Sequence, residues 1–320
     1  MKNIVVTGSL AYDYIMDYPG AFTDHINPSS THKINVSFLI NKLKKARGGT
    51  AGNVAYNLKL LKTSSSIIGA VGEDFTEYSD FLHSNGIDTK YIKVIKNEFT
   101  SQGYVMTDKK DDQIWAFYPG AMNYNQNLKI KTVEPKPDFV VITPCGSKAL
   151  ASFPKECKNL NIPYLYDPSL QIASLTNQQI IDGADGAEIF INNDYEYDMI
   201  KKRLKISDDD VLKLCKIVIV TKGENGSTIL TPEKSMEIPT VKPKVVLDPT
   251  GAGDAYRAGF IAGYSREFDL KVCGQMGAVA ATYAIEQYGT QNHTFTIDEF
   301  KKRYSQAFGS PLPSFWGLRA

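Results

Sequence analysis

The sequence predicts an α/β fold with a mainly parallel central sheet and helices on both of its faces. Two observations carry this. Short β-branched and aliphatic runs alternate with helical runs along most of the 320 residues, the pattern of strand–helix–strand units. The run Val245-Val246-Leu247 then stops at Asp248-Pro249-Thr250-Gly251-Ala252-Gly253-Asp254-Ala255 and leads into a helical stretch. Open α/β sheets place ligands at such corners.

In chain order, apolar runs predict strands near 3–8, 65–70, 138–143, 162–166, 187–191 and 216–220. Helical spacing predicts helices near 51–61, 75–85, 147–159, 194–204, 254–266, 270–287 and 297–308. Right-handed crossovers put ligands outside the carboxyl ends of the strands. Asp13, Asp167, Asn193 and Asp248 each lie at or just past such an end, so they can converge. Two stretches break the alternation. Residues 14–46 contain the alternating run Ile34–Ile40, read as a strand. Residues 99–119 contain two more runs, 102–107 and 113–118, joined by the polar turn Asp108-Lys109-Lys110-Asp111-Asp112. Taken as bare sequence, these pieces suit an antiparallel edge on the main sheet. The Pro-rich tail 311–316 reads as loosely packed or as a cover for an apolar patch.

Composition excludes several classes. A hydrophobic share of 42% supports a sizeable core, while a net charge of +1 argues against coating nucleic acid or a membrane. No run approaches the apolar length of a membrane span. Met1-Lys2-Asn3-Ile4-Val5-Val6 enters a strand directly, without a signal-peptide pattern. Cys145, Cys157, Cys215 and Cys273 are scattered and read as reduced thiols, so a cytoplasmic protein is expected. His25, His32, His83 and His293 show no metal-ligand spacing.

The glycine turn has a chemical reading. A tight turn at a helix start aims backbone N–H groups at one spot and stabilises an anion there. Asp254 sits beside that spot. A carboxylate next to an anion hole repels phosphate unless it has work, and the natural work is taking a proton from an attacking hydroxyl. Ala255, Ala258, Gly259, Ala262 and Gly263 share one helix face, which can pack very closely. An ordinary capped corner is the plainer alternative for the glycines alone. The chain has no Gly-x-x-x-x-Gly-Lys-Ser/Thr, and Tyr256 stands where a dinucleotide fingerprint needs its third glycine.

On the string Asp248–Ala255 the chain resembles the ribokinase-like (PfkB) sugar and nucleoside kinases. Further matches are Gly8-Ser9-Leu10-Ala11-Tyr12-Asp13, Arg47-Gly48-Gly49-Thr50-Ala51-Gly52-Asn53, Asn193-Asp194-Tyr195-Glu196 and Thr221-Lys222-Gly223-Glu224-Asn225-Gly226. Within that family it is similar to the bacterial adenosine kinases at residues 32–39, at Phe117-Tyr118-Pro119-Gly120-Ala121-Met122, at Asp167-Pro168-Ser169-Leu170-Gln171 and at Arg257. Gly103 and Leu170 depart from that subgroup, which has an aromatic and a glutamine there.

The resemblance implies a ribokinase-like three-layer fold. Residues 1–13, 47–98 and 120–320 would form the large domain, and 14–46 with 99–119 a small β lid over the substrate. It implies ATP-dependent phosphorylation of the 5′-hydroxyl of adenosine, giving AMP and ADP in purine salvage. Another nucleoside or ribose as acceptor is the alternative; a non-catalytic nucleoside binder stands further off. Asp254 would be the base, with Gly251, Ala252 and Gly253 forming the anion hole. Ser9, Asp13, Ser37, Gly48, Gly49, Asn53, Phe117 and Gln171 would bind substrate. Asp13 and Asn53 have the acceptor and donor chemistry that ribose hydroxyls need, although alone they read as a loop residue and a helix-start residue. Phe117 and Tyr104 are candidates to stack on the base, and Gln171 to bond its edge. Asn193, Glu196, Thr221, Gly223 and Gly226 would bind ATP. Glu196 would hold Mg²⁺ through water, although Asn193 and Glu196 equally read as a helix cap. Asp248 and Thr250 match part of a monovalent-cation (K⁺) site, with Gly289 near its second part. The partners would be a nucleoside and ATP, with no nucleic acid and no membrane; a homodimer through the lid is left open.

Overall fold

The computed structural model describes residues 2–25, 36–110 and 112–313. Its main sheet has nine strands. Their spatial order is Ser235–Ile238, Ser227–Leu230, Ile217–Thr221, Ile189–Asn193, Tyr164–Tyr166, Phe139–Ile142, Ile4–Thr7, Ser65–Val71 and Ile92–Val94. Pairing is parallel except at the edge formed by the first two. Successive residues feed two cores, because side chains of a strand alternate between its faces. Ile4 and Val6 join one core and Val5 the other; Ile189 and Ile191 likewise oppose Phe190. Burial on both faces is why these strands read as unbroken apolar runs.

The strands and helices expected from the strand–helix alternation all occur, with bounds shifted by a few residues. Helices Asn177–Ala184 and Asp208–Leu214 were not expected. Both open with a capping box, Thr176 with Gln179 and Ser207 with Asp210, a signal present in the sequence. The strands Ile92–Val94, Ser227–Leu230 and Ser235–Ile238 were also missed. Val245–Leu247 corrects the reading in the other direction. It is no strand, and its side chains are exposed.

Four strands form a sheet of their own rather than an edge of the main one. The order is Lys42–Gly48, Ala11–Asp17, Ser101–Thr107 and Gln113–Tyr118. The Ala11–Asp17 and Ser101–Thr107 strands pair parallel; the outer pairs are antiparallel. Asp13 therefore lies within a strand of this second sheet and not past the end of a main-sheet strand. The expected strand at Ile34–Ile40 is absent over residues 36–40, while Ile34 and Asn35 lie outside the described residues. The strand is instead the lysine-rich Lys42–Gly48. Its charges hid it, but its long side chains cover aromatic rings. Lys45 Nζ lies 3.8 Å from the Tyr12 ring centre, and the Arg47 guanidinium carbon 3.9 Å from that of Phe81. The 108–112 turn closes by Asp108 N–H to Asp112 O at 3.0 Å, with the Asp108 carboxylate accepting the Lys110 and Asp112 N–H groups. Residues 314–316 of the tail fall outside the described residues.

The winding fixes where a ligand belongs. Ile4–Thr7 is followed by strands on one side, Ser65–Val71 and Ile92–Val94, and then the chain returns to its other side at Phe139–Ile142. The crevice opens where the order reverses, at the carboxyl ends of Ile4–Thr7 and Phe139–Ile142. There Thr143 Oγ1 donates to Thr7 O at 2.7 Å and meets Thr50 Oγ1 at 2.8 Å. Helix Ala252–Tyr264 arrives beside helix Leu270–Ile285, held very close by the small face read in the sequence. A Cβ on Gly259 would lie 2.5 Å from the Met276 carbonyl oxygen.

Candidate active site

The turn before helix Ala252–Tyr264 is built around Gly251, the N-cap, at φ +80°. That left-handed conformation favours glycine, and a Cβ there would lie 2.9 Å from Thr290 Cγ2. The Ala252 N–H is taken by the Pro249 carbonyl at 3.2 Å, and Ala255 N–H by Gly251 O. Among the described residues no acceptor takes the N–H of Gly251, Gly253 or Asp254. Three N–H groups at the helix start are thus without an acceptor among the described residues, while that of Ala252, expected in the anion hole, closes the turn.

Asp254 is buried beside them. Asn53 Nδ2 donates to its Oδ2 at 2.8 Å, and Arg257 Nη1 stands 3.5 Å from its Oδ1. Burial pushes the Asp254 carboxyl above its usual range, opposed by the Arg257 charge and the Asn53 hydrogen bond. The result is a more basic carboxylate that still finds a charge partner. Arg257 Nε in turn lies 2.6 Å from Asp167 Oδ2, an ion pair without good hydrogen-bond alignment. Asp167 is fully buried and raised to about 7, chiefly by burial, against the pull of Arg257.

Both ends of the Asn53 amide are engaged. Its Oδ1 accepts from Thr290 Oγ1 at 2.7 Å and from Gln291 Nε2 at 2.8 Å. With two donors on the oxygen, the amide nitrogen must face Asp254. Gln291 also donates to Tyr78 Oη, whose hydroxyl donates to Gly48 O at 2.9 Å. Sequence reasoning missed Thr290 and Gln291, which follow a helix and belong to no motif.

Asp13 faces the same space. Its carboxyl is raised to about 6 by burial and by the nearby charges of Asp248 and Asp254. No donor among the described residues hydrogen-bonds it. Its oxygens sit in a cradle of two glycines. A Cβ on Gly48 would lie 2.2 Å from Oδ2, and one on Gly103 2.6 Å from Oδ1. Gly103, a departure from the adenosine kinase pattern, thus has a reason in this chain: it leaves room for Asp13. Gly49, at φ +87°, turns the chain into helix Thr50–Leu60.

Other expected residues are engaged elsewhere. Ser9 Oγ accepts the Thr50 N–H at 3.1 Å, so it holds the helix start. Ser37 is exposed in an irregular stretch. Gln171 Oε1 accepts the Gly146 N–H at 3.0 Å, which takes one of its two acceptor sites. Phe117 is exposed on the strand that carries it. Tyr104 must be withdrawn as a stacking candidate. It points to the sheet face opposite Asp13 and stacks on Tyr14 with centroids 5.0 Å apart.

Asn193 and Glu196 form a capping box on helix Asp194–Leu204. Asn193 Oδ1 accepts Glu196 N–H at 2.7 Å, and Glu196 Oε2 accepts Asn193 N–H at 2.9 Å. Ser169 Oγ donates to the remaining Glu196 oxygen at 3.3 Å. Thr221 ends its strand beside the tight turn in which Lys222 N–H donates to Gly226 O at 2.8 Å. Gly223 borders open space, while a Cβ on Gly226 would strike Ile238 O at 2.1 Å. Asp248 joins two loops, accepting the N–H of Thr250 and that of Gly289, each at 2.9 Å. The Thr250 side chain is exposed.

Taken together, a group of unpaired N–H donors and a raised carboxylate at Asp254 lie within electrostatic reach of the unpaired carboxylate of Asp13. That arrangement can activate a hydroxyl against a bound phosphate chain. Comparison with known proteins agrees with it. Residues 1–296 match the family described as pfkB family carbohydrate kinase. The nucleoside kinase of Methanocaldococcus jannaschii is 30% identical over 313 residues, 95% of this chain and 97% of that protein. The nucleoside kinase of Burkholderia thailandensis in complex with inosine superposes with a TM-score of 0.88 at 29% identity, covering 96% of this chain and 99% of that one. The same enzyme in complex with ADP-inosine gives 0.86 at 29% identity, covering 99% and 100%.

Proposed function

The chain belongs to the pfkB family of carbohydrate kinases, and from that premise we propose that it transfers the γ-phosphoryl group of ATP to the 5′-hydroxyl of nucleosides, adenosine among them. The observation that carries this reading is the set of free N–H groups at Gly251, Gly253 and Asp254 beside the Asp254 carboxylate. Asp254 accepts the hydroxyl proton as the oxygen attacks, and the three N–H groups stabilise charge on the phosphoryl group in flight. Asn53 and Arg257 keep Asp254 ionised and aimed. Asp13 accepts from the ribose hydroxyls, its unpaired oxygens supplying what a sugar diol needs. The one relative solved both with inosine and with ADP-inosine supports a purine nucleoside and ATP as the two substrates.

Mg²⁺ fits the crevice by charge. Asp13, Asp167, Glu196, Asp248 and Asp254 are linked by mutual electrostatic interactions, with Arg257 as the buried cation among them, so a triphosphate bound there would add to an excess of negative charge. Mg²⁺ supplies the missing positive charge when it enters with ATP. Glu196, with both oxygens engaged by Asn193 and Ser169, would hold metal-bound water rather than the metal. Asn193 would act beside it, and Thr221, Gly223 and Gly226 would flank the nucleotide. K⁺ would lie between the loops that Asp248 joins.

The four-stranded sheet would serve as the lid, closing over the nucleoside to exclude water. Its outward face carries exposed Leu43 and Ile114, where a homodimer through the lid would form. No helix among the described residues is long and apolar enough to cross a membrane, and all four cysteines are free and buried; a cytoplasmic place in purine salvage is part of this reading. The test is turnover with ATP on adenosine, inosine, guanosine, cytidine and ribose. Nucleosides should be phosphorylated with kcat/KM well above that for ribose. Ribose as the preferred acceptor would make this a sugar kinase.

A further inference from the structure

Strand register decides which rings look into the crevice. Asp13 pairs with Gly103 and Gly103 with Phe117; Ile15 pairs with Val105 and Val105 with Trp115. Paired residues share a face, and so do alternate residues of one strand. Asp13, Phe117 and Trp115 therefore stand together, while Tyr14 and Tyr104 stand on the back. Gly103 clears the space between them. A Cβ there would lie 2.6 Å from Asp13 Oδ1 and 3.5 Å from Trp115 Cζ3. The indole thus roofs the glycine next to the unpaired carboxylate.

Two features show that Trp115 is not there for packing. It is 55% exposed, as Phe117 is 53%, so two large exposed rings share the sheet face of Asp13, a carboxylate without a hydrogen-bond partner among the described residues. Its only polar atom is also engaged, because Nε1 donates to Gln113 Oε1 at 3.1 Å within the same strand. What remains toward the crevice is a flat aromatic surface without a hydrogen-bonding group.

Resting on the kinase reading above, we propose that Trp115 contacts the substrate and sets its specificity. Its ring stacks on the acceptor nucleoside beside the sugar hydroxyls at Asp13, in the room that a side chain at position 103 would fill. A ring face gains from any base, because every base has a π-face. Trp115 and Phe117 therefore require a base without selecting which one.

Fluorescence tests this directly, because the chain has two tryptophans, Trp115 and Trp316. In Trp316→Phe, Trp115 is the sole indole emitter. Saturating adenosine or inosine should quench or shift its emission, and ribose should leave it nearly unchanged. In Trp115→Phe the nucleoside response should vanish. In kinetics, Trp115→Ala should raise the KM for adenosine, inosine and cytidine by similar factors, on the order of 10-fold. The KM for ATP should stay, and Trp115→Phe should recover most of the loss. A purely structural role would instead lower kcat or raise both KM values. Unchanged nucleoside KM, an effect confined to one base, or emission of Trp316→Phe that ignores saturating nucleoside would each overturn the proposal. Should Trp115→Ala fail to fold, the Trp316→Phe titration decides alone. If the wild-type protein phosphorylates nucleosides and these tests fail, only the role of Trp115 falls. If it accepts only ribose, the kinase reading falls with it.

Discussion

Replacing Asn53 separates two roles that the sequence could not. The motif assigned Asn53 to the ribose, whereas the structure points its amide at Asp254. Asn53→Ala removes the 2.8 Å hydrogen bond to the Asp254 carboxylate. A hydrogen bond to a charged group contributes about 1.5–3 kcal/mol, which corresponds to roughly one to two pH units in the carboxyl it stabilises. The Asp254 pKa, already raised by burial, should rise further. Because the base must be ionised, the acidic limb of the pH profile of kcat/KM should move toward alkaline pH by about that amount. Activity lost at neutral pH should be partly regained at higher pH. The substitution also leaves Thr290 Oγ1 and Gln291 Nε2 without Asn53 Oδ1, so some stability loss is expected, and folding should be verified by circular dichroism. The assay is kcat and KM for adenosine across the pH range, with ATP saturating. An unmoved acidic limb together with a raised nucleoside KM would refute the positioning role and return Asn53 to the sugar.

Asp13 offers a pH signature of its own. Its carboxyl is raised to about 6, so its ionised form is lost as pH falls below that value, and the nucleoside KM should climb there while the ATP KM stays level. Since burial raises its pKa in the folded state, folding favours the protonated form; that stabilisation is complete below the unfolded pKa and is lost as pH rises through about 6. Asp13→Asn should accordingly weaken nucleoside binding yet raise stability at pH 7–8 by roughly 1–3 kcal/mol, read by denaturant titration; a loss of stability would contradict the unpaired state of this carboxylate. Arg257→Met should destabilise the fold by about 3–5 kcal/mol, because it strands the fully buried Asp167. Arg257→Met combined with Asp167→Leu should recover much of that loss, and no recovery would mean the pair is not the source.

The main sheet was legible because its strands are buried on both faces and read as unbroken apolar runs between helical stretches. The second sheet was only half legible. Its hairpin at 102–118 alternates cleanly, but Lys42–Gly48 carries four basic side chains that cover rings with their stems. Short capped helices such as Asp208–Leu214 carry a capping-box signal but too few turns for a clear apolar period. At the site, Asp254 and the glycines announce themselves because a backbone conformation and a base are needed at neighbouring positions. Thr290 and Gln291 do not, since they act through Asn53 from 237 and 238 residues away. Ser9 and Gln171 show the reverse case, motif residues whose polar atoms bond backbone N–H groups. Trp115 was hidden by parity: only the register of the strand tells which alternate ring faces Asp13 and which, like Tyr104, faces away.

The central claim is that Asp254 is the base at this anion hole, and Asp254→Asn tests it most directly. Asparagine keeps the size and can still accept from Asn53, so the fold and the binding of both substrates should survive. The account predicts that kcat for adenosine falls by about 10²–10⁴ while the dissociation constants for nucleoside and ATP, measured by calorimetry, change little. A kcat within a few-fold of the wild-type value, with both substrates bound normally, would contradict it.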